Sequence, residues 1–274
     1  MTRVVSFIEK SLAFLWRDFI NEASYKFAFF LQFVGILVSI ITYFFLSKLL
    51  GDIGVPYLKP YGGNYFSFIL IGVAFFSYLR ISIDGISKSI REGQMLGTLE
   101  ALLVTQTGIP TIIISSSLYS FIFASFKVAV YLLLGVFVFG VNMGNANFAG
   151  ALLILFLTII SFSSFGIISA SFVMVLKRGD PISSIFTSVS GILGGLYYPV
   201  SILPGWLQKM SYLLPVTYSL EGMRLALLQG YSLRELMPNI VALLLFSIIM
   251  LPLSIFIFGY AVKRAKIDGT LTQY

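Results

Sequence analysis

Lys127 is the one ionisable residue near the middle of an apolar run long enough to cross a bilayer, and Glu221 and Arg224 stand i, i+3 inside a shorter apolar piece. Charges at such depth are costly and mark candidate pathways or contacts with another helix. Lysine also reaches the interface by snorkelling along a tilted helix, so the residue alone leaves a pathway role and a structural contact open. Glu221 and Arg224 would fix the packing of their segment if buried together and contribute little if exposed; a structural latch and contact with a transported molecule are both open. Arg80 and Asp84, at i, i+4, read as an ordinary ion pair at the end of a span. Catalytic chemistry is poorly supplied. With neither His nor Cys in the chain, Ser-His-Asp triads, thiolate nucleophiles, disulfides and imidazole or thiolate metal sites are all removed. The sequence contains no G-x-x-x-x-G-K-[ST] run to cradle phosphates. No catalytic residue, metal site or bound cofactor is expected in this chain.

The elements that must position these residues belong to a membrane. The chain is 58% hydrophobic and 11% charged, with mean hydropathy +0.97, where soluble domains carry about 25% charged residues. An all-α integral membrane protein is the expected fold class. Six apolar segments are long enough to cross, at about 27–49, 64–86, 110–140, 148–176, 182–198 and 238–262. An even number puts both termini on one side. That side would carry Arg3, Lys10, Arg17, Lys26, Lys88, Arg91, Lys177, Arg178, Lys263, Arg264 and Lys266, against Lys59, Lys209, Arg224 and Arg234 opposite. The bias places both termini in the cytosol, with residues 263–274 as a cytosolic tail. The net charge of +7 thus speaks for topology and not for nucleic acid.

Residues 1–26 form a separate object, and no cleavable signal peptide is read there. At about 100° per residue, Val4, Val5, Ile8, Leu12, Leu15, Trp16 and Phe19 share one sector, with Arg3, Ser6, Lys10, Arg17 and Asn21 opposite and Phe7 and Phe14 breaking the pattern. An amphipathic interface helix in the headgroup plane is expected, and packing on a partner subunit is the alternative. At the other end of the chain, the run after Ser183 halts at Tyr197-Tyr198-Pro199. Two short amphipathic pieces follow, Ile202–Leu214 and Val216–Leu228, divided by Pro215. Neither reaches the ~20 residues of a crossing, so a re-entrant helical hairpin over 199–230, between the fifth and sixth spans, is expected. Such backbone survives at membrane depth only inside protein or along a wet cavity. Pro199, Pro204 and Pro215 break helices where the chain must turn.

The loop at 84–109 is the longest charged stretch between spans and falls on the cytosolic side. Within it, Gly97-Thr98-Leu99-Glu100-Ala101-Leu102-Leu103 reads as a short helix, with Thr98 at the N-cap, Glu100 near the positive end and Gly108 to Pro110 as its stop. A docking element for a soluble partner and a plain connector are the two readings.

Arg91-Glu92, then Gly97-Thr98-Leu99-Glu100, then Leu102-Leu103-Val104-Thr105 resembles the first cytoplasmic loop of ABC-2 type transporter permeases. Tyr197-Tyr198-Pro199, Leu203-Pro204, Leu214-Pro215 and Glu221-Gly222-Met223-Arg224 with Gly230 resemble the family's region before the last helix. Gln106 stands where a Pro is common in the family, which blurs the end of the loop helix. The resemblance runs over nearly the whole chain, with 27–262 as the transmembrane domain. It implies the permease half of an ATP-driven exporter, which pairs with a second copy of itself or a paralogue. Two copies of an ATP-binding subunit, with ATP and Mg, would dock on a coupling element carrying Arg91, Glu92, Gly97, Thr98, Leu99, Glu100 and Leu103. Tyr198, Pro199, Pro204, Pro215, Glu221 and Arg224 would then shape an extracellular gate. The protein would sit in the plasma or inner membrane amid its lipid. The phenylalanine-rich spans lean toward an amphipathic, lipid-like or drug-like substrate.

A secondary transporter driven by an ion gradient is the alternative. That class tends to show inverted repeats and intramembrane carboxylates, whereas the acidic residues here lie in loops, at span ends or in the hairpin. A membrane enzyme would want clustered polar groups at one depth, which the sequence does not offer.

Overall fold

The computed structural model describes residues 9, 11–13, 15–17, 19–20, 26–51, 55–95, 97, 109–176 and 180–267. Among the described residues five helices are long and apolar enough to cross a membrane: α1 (Lys26–Leu50), α2 (Tyr65–Met95), α3 (Ile109–Phe137), α4 (Phe148–Leu176) and, last in the chain, α8 (Met237–Ile267). Between α4 and α8 lie three short helices, α5 (Pro181–Leu193), α6 (Gly205–Ser211) and α7 (Pro215–Leu228). The backbone groups of the long helices bond within each helix, the condition for standing in hydrocarbon, except at Pro252 inside α8, which has no N–H to donate.

Helix α2 is the centre of the assembly. The most apolar stretch of α2 is 72% buried against 11% for α1 and 17% for α8. The last two present Leu37, Val38, Ile41, Phe45, Ile248 and Phe256 outward, an apolar exterior suited to lipid rather than water. Asn64 caps α2, its Oδ1 accepting from the Ser67 N–H at 3.1 Å. Helix α4 packs along both α2 and α8. A Cβ at Gly166 would collide with the Ser82 carbonyl of α2, so glycine lets the two backbones touch. Ser161, Ser164, Ser169 and Ser171 of α4 are also buried, and small residues at a helix contact are how membrane helices approach closely. One apolar cluster joins Phe66, Leu70, Phe75, Phe162 and Leu220. A second, around Ile86, Ile90, Met174 and Phe258, closes the end of the bundle that carries Lys88 and Arg91, called here the basic end.

Two expectations shift. Helix α2 runs to Met95 instead of ending near 86, because charged residues end a hydropathy run without ending a helix. The ion pairs Arg80–Asp84 and Lys88–Glu92, each at 3.6 Å and i, i+4, fit the helical spacing. The helix stops before Gly97, which has φ +68°. The fifth expected segment is α5, a helix of 13 residues. At ~1.5 Å per residue it rises about 20 Å, short of the ~30 Å hydrocarbon core. The described residues between 9 and 20 are helical. Leu12, Trp16 and Phe19 are exposed there, while Ser11 is buried, its hydroxyl 2.9 Å from that of Ser115 on α3.

Candidate transport groove and hairpin

Pro199, Pro204 and Pro215, expected in the hairpin, each begin a turn of helix. Pro199 (φ −60°, ψ 140°) precedes a 3-10 turn at Val200–Ile202, Pro204 (φ −55°, ψ 148°) precedes α6, and Pro215 opens α7. Proline is suited to these positions because its φ is already fixed and the N–H it lacks would have no helical acceptor. The turns between the helices satisfy their carbonyls internally. Tyr198 Oη donates to the Ile192 carbonyl at 2.8 Å, Gln208 Nε2 to Leu203 at 2.8 Å and Thr217 Oγ1 to Ser211 at 2.6 Å. From the neighbouring helix, Tyr65 Oη donates to the Tyr197 carbonyl at 3.1 Å.

Arg224 of α7 holds this end together. It is 2% exposed. Its Nη1 donates to the Gly195 carbonyl at 2.8 Å, Nη2 to Leu196 at 2.9 Å and Nε to Phe68 of α2 at 3.0 Å. The first two carbonyls lie just past the end of α5, where no helical partner remains and a cation is favoured. The third lies within α2 and is reachable because residue 72, four positions on, is glycine. A Cβ at Gly72 would overlap the guanidinium. The chain can turn after α5 because Gly195 takes φ +78°.

Glu221 does not join this arrangement as an ion-pair partner. No ion pair links it to Arg224 among the described residues, since the guanidinium points at carbonyls on α2 and α5. Burial pushes the Glu221 carboxyl up, and the charge of Arg224 opposes that only in part. The Tyr61 hydroxyl is pushed up to about 12, first by its own burial and then by Glu221.

A cavity of about 620 Å³ opens between α2 and α5. Ser184, Thr187, Ser188 and Gly191 of α5 line it, spaced to share one helix face, opposite Phe76, Arg80, Asp84 and Arg91 of α2. Asp84 accepts a hydrogen bond from Ser183 Oγ, tying the two walls at the basic end. Asp180 caps α5, its Oδ1 accepting from the Ser183 N–H at 3.0 Å and from Ser169 Oγ of α4. The Oδ2 of Asp180 and Oγ1 of Thr187 are buried with no hydrogen-bond partner among the described residues. Buried polar atoms of that kind accept water or a ligand group. The groove can therefore bind polar and apolar groups side by side. It extends along α5 to Tyr197, close to the carbonyls that Arg224 holds.

The other expected site residues scatter. Arg91 lines this groove, and Glu92, exposed on the last turns of α2, pairs with Lys88. Gly97 makes the turn after α2, while Thr98, Leu99, Glu100 and Leu103 lie outside the described residues. Lys127 faces a different cavity, between α1, α2 and α3, with its Nζ 4.5 Å from the Phe123 ring centre. The serine and threonine face of α5 escaped the sequence reading, although hydroxyls recurring at helical spacing in an apolar segment were its signal. Asp180, directly before Pro181, carried a helix-start signal that the sequence reading did not use, whereas Phe68 and Gly72 carried no local signal.

Residues 10–228 match the family described as ABC-2 type transporter. A relative is the linearmycin resistance permease protein LnrN of Bacillus subtilis (strain 168), 21% identical over 172 residues, which take in 63% of this chain and 44% of that protein. The chain thus spans under half the length of this relative. A family match over most of the chain, on a bundle of helices long enough to cross a membrane, leads to one assignment: the chain belongs to the ABC-2 type transporter family and is a membrane permease.

Proposed function

We propose that this permease is half of an ATP-driven exporter and that the α2–α5 groove is its share of the substrate path. The observation that carries the reading is the groove itself, a cavity with a hydroxyl-bearing wall on α5 and buried oxygens at Thr187 and Asp180 that have no hydrogen-bond partner among the described residues, in a chain whose other long helices are apolar outside. In the proposed topology α5 and the turn after it complete a sixth crossing. The hairpin of α6 and α7 re-enters on the extracellular side, the segment before α1 lies at the interface, and both termini are cytosolic. Two ATP-binding subunits, carrying ATP and Mg, would press on the segment following Gly97, with Arg91 and Glu92 beside it and Thr98, Leu99, Glu100 and Leu103 within it. A second copy of the chain or a paralogue would complete the path. Arg224 holds the turn after α5 to α2, so the region from Tyr198 through Pro199, Pro204 and Pro215 to Glu221 would move with that turn as a gate.

An amphipathic, lipid-like or drug-like substrate suits a groove with one hydroxyl wall and one aromatic and charged wall. The resistance permease among its relatives agrees with a drug-like cargo. The test is transport in proteoliposomes holding the permease and its co-purified ATP-binding subunit. Ser188→Trp and Thr187→Trp are expected to abolish transport of an amphipathic drug while the protein still inserts and assembles. Transport that persists without ATP on an ion gradient, or that ignores both substitutions, overturns the reading.

A further inference from the structure

We propose that the apolar face of α6 and of the turns beside it, Ile202, Trp206, Met210 and Leu213, is seated in the acyl chains of the leaflet opposite the basic end. Lipid, and neither water nor a second copy of the chain, then covers it. All four side chains are exposed, Trp206 at 65% and Leu213 at 73%. Positions 206, 210 and 213 stand i, i+4, i+7, which puts them on one helix face. Large apolar groups gathered in this way mark a contact with lipid or with protein.

The depth of the hairpin decides between these. At its last turn α7 is level with the start of α4, where the Asn147 N–H donates to the Ala226 carbonyl at 2.9 Å and Asn147 Nδ2 donates to the Tyr231 carbonyl at 2.8 Å. Followed back toward Pro215, α7 leads inward. The hydroxyls of Ser219 and Thr158 are 2.8 Å apart, and Thr158 lies about 15 Å along α4 from its Phe148 end. A second measure runs through three rings. Tyr212 is 6.4 Å from Tyr218, which is 6.3 Å from Phe246, and Phe246 lies about 14 Å along α8 from its Met237 end. The turn between α6 and α7 therefore stands well inside one leaflet of a hydrocarbon core ~30 Å thick. The chain reaches α6 from Tyr197, whose carbonyl Tyr65 holds at the start of α2. Helix α6 thus leads inward, and Trp206 is shallower than Leu213.

The turn is also built for hydrocarbon. The Leu213 N–H donates to the Met210 carbonyl at 3.1 Å, the Leu214 N–H to Ser211 at 3.0 Å and Tyr218 Oη to Tyr212 at 3.0 Å. Backbone at membrane depth needs such partners because no water is there to supply them. Leu245 and Ile249, exposed beside Phe246, continue the apolar surface onto α8. Trp206 and the exposed Lys209 suit the shallow end, since an indole settles at headgroup level and a lysine stem lies on lipid with its ammonium in water. Interfaces between proteins are by contrast depleted in lysine. The inference rests on the re-entry proposed for the hairpin and on nothing else in the exporter reading.

Trp16 and Trp206 are the two tryptophans of the chain, so Trp16→Phe leaves Trp206 as the single reporter, and the exposure of Trp16 lets the fold stand. The full-length variant is placed in phosphatidylcholine vesicles, with iodide on both faces or with bromine on the acyl chains, near the headgroup or near the methyl end. Trp206 emission is expected to be quenched by bromine near the headgroup, less by bromine near the methyl end, and little by iodide. Leu213→Trp, with both native tryptophans changed to Phe, should shift the stronger quenching toward the methyl end. Quenching of Trp206 by iodide without quenching by bromine puts the face in water and overturns both this proposal and the re-entry. Resistance to both quenchers means that protein covers the face, which overturns the lipid contact and leaves the re-entry standing. Should Leu213→Trp fold poorly, the native Trp206 decides.

Discussion

The guanidinium carbon of Arg224 lies 3.5 Å from the centre of the Phe68 ring while its Nε donates to the carbonyl of that same residue at 3.0 Å. One residue of α2 therefore offers both a π face and a lone pair to the same buried cation. Arginine suits such a site because its planar fork stacks and donates in several directions at once, which an ammonium cannot do. Arg224→Lys is expected to lose at least one charge-assisted hydrogen bond, worth about 1.5–3 kcal/mol. Thermal unfolding in detergent measures it, and a lysine variant as stable as wild type would remove Arg224 from its proposed role in holding the hairpin.

Gly72→Ala should reproduce much of that loss from the other side, because the methyl group occupies the space of the guanidinium. The two changes break one contact, so the double variant should be less destabilised than the sum of the singles. Strict additivity would mean that Gly72 serves some other contact.

Asp180→Ala removes the cap of α5 and the link to Ser169 of α4. A loss of about 1 kcal/mol is expected from the cap alone. Asp180→Asn keeps an acceptor and should recover most of it. The comparison is made by unfolding of the two variants side by side, and equal stability would argue that the cap is immaterial.

Glu221 gives the hairpin a pH dependence of definite sign. Burial raises its carboxyl in the folded chain, so the folded state binds this proton more tightly than the unfolded state does. Stability is therefore greatest when the group is protonated, and it declines as pH rises from the ordinary carboxylate range through the raised value. Glu221→Gln should flatten that part of the unfolding curve against pH. A decline of equal slope in the variant would assign it to another group.

Leu99→Asp and Glu100→Ala address the proposed coupling segment. Both are expected to leave insertion intact and to separate ATP hydrolysis by the partner from transport. Normal coupling in both variants would move the docking surface elsewhere, with Arg91 and Glu92 at the end of α2 the next residues to change.

The prolines were legible in the sequence because their effect is local: Pro204 and Pro215 set the starts of α6 and α7 wherever the rest of the chain lies. The length of α2 was less so. Arg80, Asp84, Lys88 and Glu92 lower hydropathy, yet at i, i+4 they fit the helix that hydropathy would have ended. Spacing alone left the surroundings of Glu221 and Arg224 open. Their i, i+3 separation allowed a buried pair or an exposed one, and the acceptors of Arg224 are Phe68, Gly195 and Leu196. No local pattern encodes contacts so distant along the chain. The hydroxyl face of α5 lay between these cases, periodic in sequence but given a purpose only by the wall opposite.

Arg80, Asp84 and Lys88 line both cavities, so α2 is a party wall between two compartments. A helix is only about 10–12 Å across, and charges inside a protein are weakly screened compared with those in water. A charge lodged on one side therefore alters the potential on the other without any atom moving, and the influence runs equally in reverse.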